Sequence, residues 1–154
     1  MALAIYREVS PGIYARYRRR NTTDEELPIT STHDGVLGES VELKLFVRND
    51  DAALYYTNVY VEPIALTSPS DITGIATGHG FKLKFTTNGV QPTEGAWEAT
   101  SYGNTIAIGN LGSFGSPDLS TYLPFWCRIE CPAGAPANNI ENVVLRVSGT
   151  GDHV

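Results

Sequence analysis

Residues 41–48, VELKLFVR, give the clearest indication of the fold of this chain. Every second residue of this stretch is apolar, and the residues between them are mostly charged. Successive side chains of a β-strand point to opposite faces, so a period of two is typical of a strand with one buried face. We therefore predict a half-buried strand. Its inward set is Val41, Leu43, Leu45 and Val47, and its outward set is Glu42, Lys44, Phe46 and Arg48.

Further strands are predicted after this stretch, with turn signals between them. Asn49-Asp50-Asp51 and Asn88-Gly89 are turn signals, because Asn and Asp bond to nearby backbone and Gly tolerates a positive φ. Segments 97–100 (WEAT) and 104–110 (NTIAIGN) are weaker strand predictions. The stronger strands are YYTNVYVEP at 55–63, which ends at Pro63, FKLKF at 81–85, PFWCRIECP at 124–132 and NVVLRVSG at 142–149.

The same alternation assigns faces in these strands. Lys82 and Lys84 are expected to point outward. The residues expected inside are Phe125, Cys127, Ile129, Val143, Leu145 and Val147, and those expected on the opposite face of their strand are Trp126, Arg128 and Glu130.

The whole pattern predicts an all-β protein. The 154 residues suit one domain, which can bury about 70% of its unfolded surface. We found no convincing helical period, and 15 Gly and 9 Pro favour many turns. The expected fold is an antiparallel β-sandwich, Ig-like or jelly-roll-like, with about seven or eight strands at 41–154. A closed barrel is the alternative.

Residues 1–40 are predicted to form an extended N-terminal arm that lies over a surface and adds little to a core. Pro11-Gly12 interrupts the apolar pattern there. The first 20 residues hold five Arg and one Glu, a charge of 5 − 1 = +4. The other 134 hold 6 basic and 16 acidic residues, or −10. This separation of positive and negative charge along the chain needs an explanation.

The arm is the best functional candidate from the sequence. We expect it to dock on an acidic patch of a neighbouring subunit, in a homo-oligomer or in repeated copies. A merely solvated arm is one alternative. Nucleic acid is another, and is disfavoured because the acidic body repels phosphates. The candidate partner-docking residues are Arg7, Tyr14, Arg16, Tyr17, Arg18, Arg19, Arg20 and Trp126.

The chain offers no recognisable catalytic, metal or cofactor motif, so we predict a protein that is not an enzyme. Cys127 and Cys131 are expected to be buried thiols. Asp50 and Asp51 could bind calcium but suit a turn better. Glu94 and Glu98 are a weak acid pair. The histidines His33, His79 and His153 and the glycine-rich 74–80 are assigned to loops or to the terminus.

Aromatic residues leave one alternative function open. They could form a sugar-stacking platform like that of a carbohydrate-binding module, or simply pack in the core. These aromatics are Trp97, Tyr102, Tyr122 and Trp126.

Two longer segments carry a resemblance to a known group of proteins. LFVRNDDAALYYTNVYVEPI at 45–64 resembles the strand, turn and strand of Ig-like add-on domains, and 124–149 is similar to their closing strand pair. With HDGVLGESVE at 33–42 before them, they resemble Ig-like structural proteins of tailed-bacteriophage virions over residues 33–149. The resemblance supplies no catalytic residue.

The resemblance implies a role by contact. Such proteins decorate or cement a capsid, or form part of a tail or baseplate, so the implied partners are major capsid or tail subunits and the implied location is a virion assembled in the host cytoplasm. The N-terminus does not resemble a signal peptide, and no apolar run reaches the ~18 residues that span a bilayer, so we expect no membrane association.

Overall fold

Nine strands and one short helix make up the described part of the chain. The computed structural model describes residues 3–16, 27–28, 39–65, 80–131 and 143–154. The strands are β1 (Leu3–Ser10), β2 (Ile13–Arg16), β3 (Leu27–Pro28), β4 (Glu39–Asn49), β5 (Leu54–Ala65), β6 (Gly80–Phe85), β7 (Ile106–Leu111), β8 (Leu123–Cys131) and β9 (Val143–His153). The helix α1 spans Glu94–Glu98, after a 3-10 turn at Thr87–Gly89.

The strands form two antiparallel sheets. The first has five strands in the order β2-β1-β4-β8-β6, and the second has four in the order β3-β9-β5-β7. The longest pairings are β4 with β8, from Glu39↔Cys131 to Val47↔Leu123, and β5 with β9, from Leu54↔His153 to Ala65↔Val143. The predicted antiparallel β-sandwich is confirmed. Within the described ranges, eight strands have four or more residues and β3 has two.

The core lies between the two sheets, and the alternation in the sequence locates much of it. In β8 the predicted inward set, Phe125, Cys127 and Ile129, is buried. In β4, Leu45 and Val47 are buried, whereas Leu43 packs at the edge of the core as a partly buried side chain. The opposite sheet contributes Val59, Val61, Leu145 and Val147. The side chain of Val143 lies outside the described residues.

Two glycines of β9 lie close to side chains of β5, the neighbouring strand of the same sheet. A Cβ on Gly149 would lie 3.0 Å from Cγ2 of Val59, and one on Gly151 would lie 2.9 Å from the ring of Tyr56. Val59 and Tyr56 are both core residues. A Cβ at either position would therefore require these neighbouring side chains to shift.

The predicted arm is wrong for residues 3–16. β1 pairs with β4 from Leu3↔Asn49 to Tyr6↔Phe46, and Leu3 and Ile5 are core residues. The apolar alternation of LAIY is short, which is why composition and charge outweighed it in the sequence analysis. A sandwich boundary at residue 40 therefore does not hold for this segment, because β1 is an internal strand of the five-stranded sheet and β2 is its edge strand.

The strand predicted at residues 97–100 is also wrong. Trp97 and Glu98 belong to α1, whose N-cap is Thr93: its Oγ1 accepts a hydrogen bond from the Ala96 N–H at 3.2 Å. A five-residue helix is too short to produce a helical period in the sequence. Its one buried residue, Trp97, anchors it to the outer face of the five-stranded sheet.

Strand β5 continues past Pro63, where the sequence predicts its end. Pro63 pairs with Leu145 of β9, but the pairing of β5 with β7 ends at Val61↔Ile106. A proline without an N–H is tolerated where a strand has a free side. Among the described residues, Pro63 occupies such a position.

The predicted turn at residues 49–51 is confirmed. The Asp51 N–H donates to Oδ1 of Asn49 at 2.9 Å, and the Ala53 N–H donates to Oδ1 of Asp51 at 2.8 Å. Side-chain oxygens that accept from backbone two residues on are ordinary turn chemistry. These two side chains are therefore engaged in the turn that joins β4 to β5.

The outer edge of β6 is covered by an amide side chain. Asn104 Nδ2 donates to the Leu83 carbonyl at 2.7 Å, and its Oδ1 accepts from the Leu83 N–H at 2.8 Å. The Gly103 N–H donates to the Phe81 carbonyl at 2.7 Å. These contacts satisfy backbone groups that an edge strand otherwise exposes.

Candidate functional site

The hairpin formed by β1 and β2 extends away from the sandwich. Beyond Tyr6, β1 has no recorded pairing with β4 and continues with β2 through Arg7↔Ala15, Glu8↔Tyr14 and Ser10↔Ile13. Residues 7–13 are all exposed. We call residues 7–13 the projecting hairpin.

The projecting hairpin exposes two β-branched apolar side chains at its tip. Val9 is 51% exposed and Ile13 is 59% exposed. Gly12, at φ 73°, supplies the positive φ of the connecting turn. The pairing shifts between Glu8 and Ser10, so a bulge lies beside the tip. Bulges of this kind re-aim a strand and the side chains that it carries.

Stacked aromatic rings fix the base of the hairpin. The Tyr14 ring stacks on Tyr122 with centroids 3.9 Å apart and an interplanar angle of 12°. It also meets Phe46 edge-on at 5.0 Å. Lost hydration, with a smaller effect of Glu8, raises the pKa of the Tyr14 hydroxyl. Tyr14 is one of the predicted docking residues. In the structure its ring packs largely against Phe46 and Tyr122 of the same chain.

Arg48 connects the base of the hairpin to the turn at Asp50 and to the loop at Leu119. Its guanidinium lies 5.8 Å from the ring centre of Tyr6 and 5.3 Å from that of Tyr122. Its Nε donates to the Leu119 carbonyl at 2.8 Å, and its Nη1 lies 2.9 Å from Oδ1 of Asp50. Burial, followed by the hydrogen bond to Asp50, raises the pKa of Tyr6. The base is therefore rigid although the tip is exposed.

The remaining docking candidates divide into three groups. Arg7 is exposed on the projecting hairpin, and Arg16 is half-buried at the end of β2, opposite Tyr6. Trp126 is half-buried between Lys44 and Lys84, and its Nε1 donates to the Gly89 carbonyl at 3.2 Å. It therefore packs within its own chain. Tyr17, Arg18, Arg19 and Arg20 lie outside the described residues.

An ionic cluster on the outer face of the five-stranded sheet holds α1 in place. Arg128, whose side chain is 8% exposed, donates from both terminal nitrogens to the carboxylate of Glu94 at 2.7 and 2.8 Å. Its Nε lies 3.0 Å from Glu130 as an ion pair without hydrogen-bond alignment. Arg128 holds the pKa of Glu94 below its usual value. This carboxylate is therefore a fixed anion.

Two further contacts complete the ionic cluster. Lys82 points outward from its strand, as predicted, but it is buried under α1 and donates to the Trp97 carbonyl at 3.0 Å. The Tyr102 hydroxyl donates to Glu130, and this bond, with burial, raises the pKa of Tyr102 to about 12. The cluster thus pairs its charges internally.

The fully buried Trp97 has no face open to a sugar. Its Nε1 donates to Glu42, and its ring lies 6.0 Å from the Arg128 guanidinium. Tyr122 is covered by Tyr14 on one face. With Trp126, three of the four predicted platform residues are therefore engaged in contacts within the chain.

The described residues give no support to catalytic chemistry at Cys127. Burial raises the pKa of its thiol to about 12, so the thiolate is not populated at neutral pH. Four other candidates lie outside the described residues: the side chain of Cys131, His33, His79 and segment 74–79. In the part of the chain that is described, no group of three or more His, Cys, Asp or Glu could hold a metal ion.

Membrane-spanning helices are absent from the described ranges, where no helix has the length and apolar character to cross a bilayer.

The apolar hairpin tip was missed in the sequence analysis. Val9 and Ile13 flank Pro11-Gly12, and a Pro-Gly pair between two short apolar strands is a hairpin signal that could have been used. Phe114 is also exposed, and no feature of the sequence predicted this exposure.

Comparisons with protein-family models, curated proteins and solved structures gave no match to this chain.

Proposed function

We propose that this protein is a structural subunit of a tailed-phage virion, a capsid decoration or tail component, and that it acts by contact through the projecting hairpin. The hairpin supports the contact role, because Val9 and Ile13 are more than half exposed on a ribbon outside the body. The virion setting comes from the resemblance of segments 45–64 and 124–149.

A two-stranded ribbon without a packed face is marginal in water. The projecting hairpin gains its order at the base, through the Tyr14–Tyr122 stack and Arg48. Its tip leaves about half of each apolar side chain in water, since Val9 is 51% and Ile13 is 59% exposed. A neighbouring subunit that covers this remaining surface would contribute hydrophobic stabilisation of ~1 kcal/mol for each side chain.

The ordered base also lowers the cost of binding. A free arm would lose backbone entropy of about 1–2 kcal/mol per residue when it docks. The rings at Tyr6 and Tyr14 already fix the base of the ribbon in this chain, so less entropy remains to be lost. Many identical copies on one particle then add avidity.

Binding to particles tests the proposal. Virions that lack the chain are mixed with purified full-length protein and sedimented, and the bound copies are counted by quantitative mass spectrometry. We expect saturable binding at a fixed ratio to a major subunit. Replacing Val9 and Ile13 together with Ser should weaken binding at least about tenfold, since each loses apolar contact.

The matched control is Val90→Ser, which alters another exposed valine, 65% exposed, away from the hairpin. It should bind as the unaltered protein does. Circular dichroism should give the same melting temperature for all three proteins. No binding to particles would refute the virion role, and full binding by the hairpin variant would refute the role of the hairpin.

A further inference from the structure

The 3-10 turn that follows β6 contains an asparagine directly before a glycine. Asn88 has φ 60° and Gly89 has φ 67°, so both residues are in the left-handed region of the backbone. Glycine adopts this region at no steric cost, and asparagine adopts it more readily than most other residues. Asn88 is exposed, whereas Gly89 is buried beneath it. The backbone of the turn therefore favours this pair of residues.

The space around Gly89 also favours glycine. A Cβ at this position would lie 2.7 Å from Nζ of Lys44 and 3.2 Å from Cβ of Pro124. Another residue would be strained by the positive φ and would displace these two neighbours. The fold thus retains an Asn-Gly pair in an exposed turn.

An Asn-Gly pair has a chemistry of its own. The backbone nitrogen of the glycine can attack Cγ of the asparagine, because no side chain at the next residue hinders the approach. The new N–Cγ bond closes a five-membered imide, the attacking nitrogen gives its proton to water, and the Cγ–Nδ2 bond breaks to release ammonia. Water then opens the imide at one of its two carbonyls and yields aspartate or isoaspartate. The net reaction consumes one water and needs no oxidant.

The closed turn opposes this attack. The Gly89 N–H donates to the Thr86 carbonyl at 3.2 Å, so the attacking nitrogen is engaged. The Gly89 carbonyl accepts from Nε1 of Trp126, also at 3.2 Å. With ψ at 15°, Asn88 holds the next nitrogen turned away from its own Cβ. The reaction therefore requires the turn to open and ψ of Asn88 to rotate.

We propose that Asn88 is a site of spontaneous deamidation in the folded protein, and that the hydrogen bond from Trp126 to Gly89 controls its rate. Both bonds that hold Gly89 are at the long end of the usual range for N–H···O. A surface turn held by two such bonds opens locally, without unfolding of the two sheets. The inference is independent of the projecting hairpin.

The product differs from the original turn in charge and in length. A carboxylate replaces the Asn88 amide, so the net charge changes from −6 to −6 − 1 = −7. The new charge lies next to Gly89, which Lys44 covers. Isoaspartate also adds one atom to the backbone, which moves the Gly89 carbonyl relative to Trp126.

Peptide mapping by mass spectrometry tests the proposal. The full-length protein is incubated at mildly alkaline pH in buffer and, separately, in urea. We expect aspartate and isoaspartate at residue 88 to accumulate in both, more slowly in buffer, where the turn is closed. Asn58 and Asn110 are internal controls, because both are exposed but precede the buried Val59 and Leu111. They should keep their amides.

A variant of Trp126 tests the control of the rate. Trp126→Phe keeps an aromatic ring but removes the N–H that holds Gly89. It should speed deamidation in buffer about fivefold, as expected for the loss of one hydrogen bond, and should leave the rate in urea unchanged. Tyr102→Phe is the matched control, since it removes the donor to Glu130 on the same face of the sheet. It should alter neither rate.

Three results would overturn the proposal. The first is an intact amide at residue 88 in buffer when the urea sample has reacted, which would mean that the turn does not open. The second is equal rates in buffer and urea, and the third is an unchanged rate for Trp126→Phe in buffer. The Val9 and Ile13 variants should deamidate as the unaltered chain does, so a failure of the hairpin proposal is distinguishable from a failure here.

Discussion

Gly149 shows how closely a neighbouring strand of the same sheet can constrain one side chain. Changing it to Ala would place a methyl group 3.0 Å from Cγ2 of Val59 and 3.2 Å from the Thr57 carbonyl. We expect a loss of about 1–3 kcal/mol in the free energy of unfolding, since the core is already packed. Urea denaturation measures this loss.

Gly95→Ala is the control for Gly149→Ala. Gly95 lies in α1, where an added Cβ meets nothing within 4 Å. The change should be neutral or should stabilise the protein by up to about 1 kcal/mol, because alanine is the better helix former. Equal losses at the two positions would contradict the close-approach explanation.

Glu94 should give part of the stability a dependence on acidic pH. Arg128 lowers the pKa of this carboxyl in the folded state below its ordinary value of 4.5. The stability that the pair contributes is therefore complete above about pH 4.5 and is lost as the pH falls through the lower folded pKa. The free energy of unfolding, measured between neutral and acidic pH for the protein and for Glu94→Gln, should differ only above this range.

Glu98→Gln provides the comparison for Glu94→Gln, since Glu98 is an exposed carboxylate on the same helix. It should change the acidic limb of the stability profile far less. If the Glu94→Gln profile ran parallel to that of the unaltered protein down to the lowest pH, the Arg128 pair would have no role in acid stability.

Strand β1 combines a structural half and an exposed half. Ile5 is 2% exposed in the core, whereas Arg7, two residues further on, is exposed. We expect Ile5→Ala to cost about 2–5 kcal/mol and Arg7→Ala to cost almost nothing. Deletion of residues 1–20 should unfold the protein, because it removes β1 and β2.

Thermal denaturation followed by circular dichroism checks these variants. A truncated chain that melts like the intact protein would show that β1 is dispensable and would restore the predicted arm. A large loss for Arg7→Ala would show that this part of the hairpin packs on the body.

The elements that the sequence predicted well are those in which alternation persists over several residues. VELKLFVR and PFWCRIEC each present an apolar face, and their pairing in β4 and β8 follows that pattern. The start of β1 has only a short apolar run, and α1 buries a single residue, so neither has a period to detect. Their structures depend on tertiary contacts made by Ile5 and Trp97.

Across the whole molecule, the distribution of charge predicted the fold less well than the pattern of apolar residues did. The basic N-terminal segment suggested a free arm, yet its first residues complete the five-stranded sheet. Buried charges such as Arg128 and Lys82 pair within the chain, which no linear spacing reveals. The exposure of Val9, Ile13 and Phe114 likewise depends on how loops project from the folded body. Such exposure is a property of three-dimensional shape.

The amide of Asn104 has a consequence for crowded conditions. The Asn104 side chain is hydrogen-bonded to both the N–H and the carbonyl of Leu83. A strand of another molecule therefore cannot pair with β6 at this residue and start a fibril there. Addition of strands from other molecules is disfavoured at this edge of the five-stranded sheet. At high concentration, separate molecules therefore do not join strand to strand at this residue.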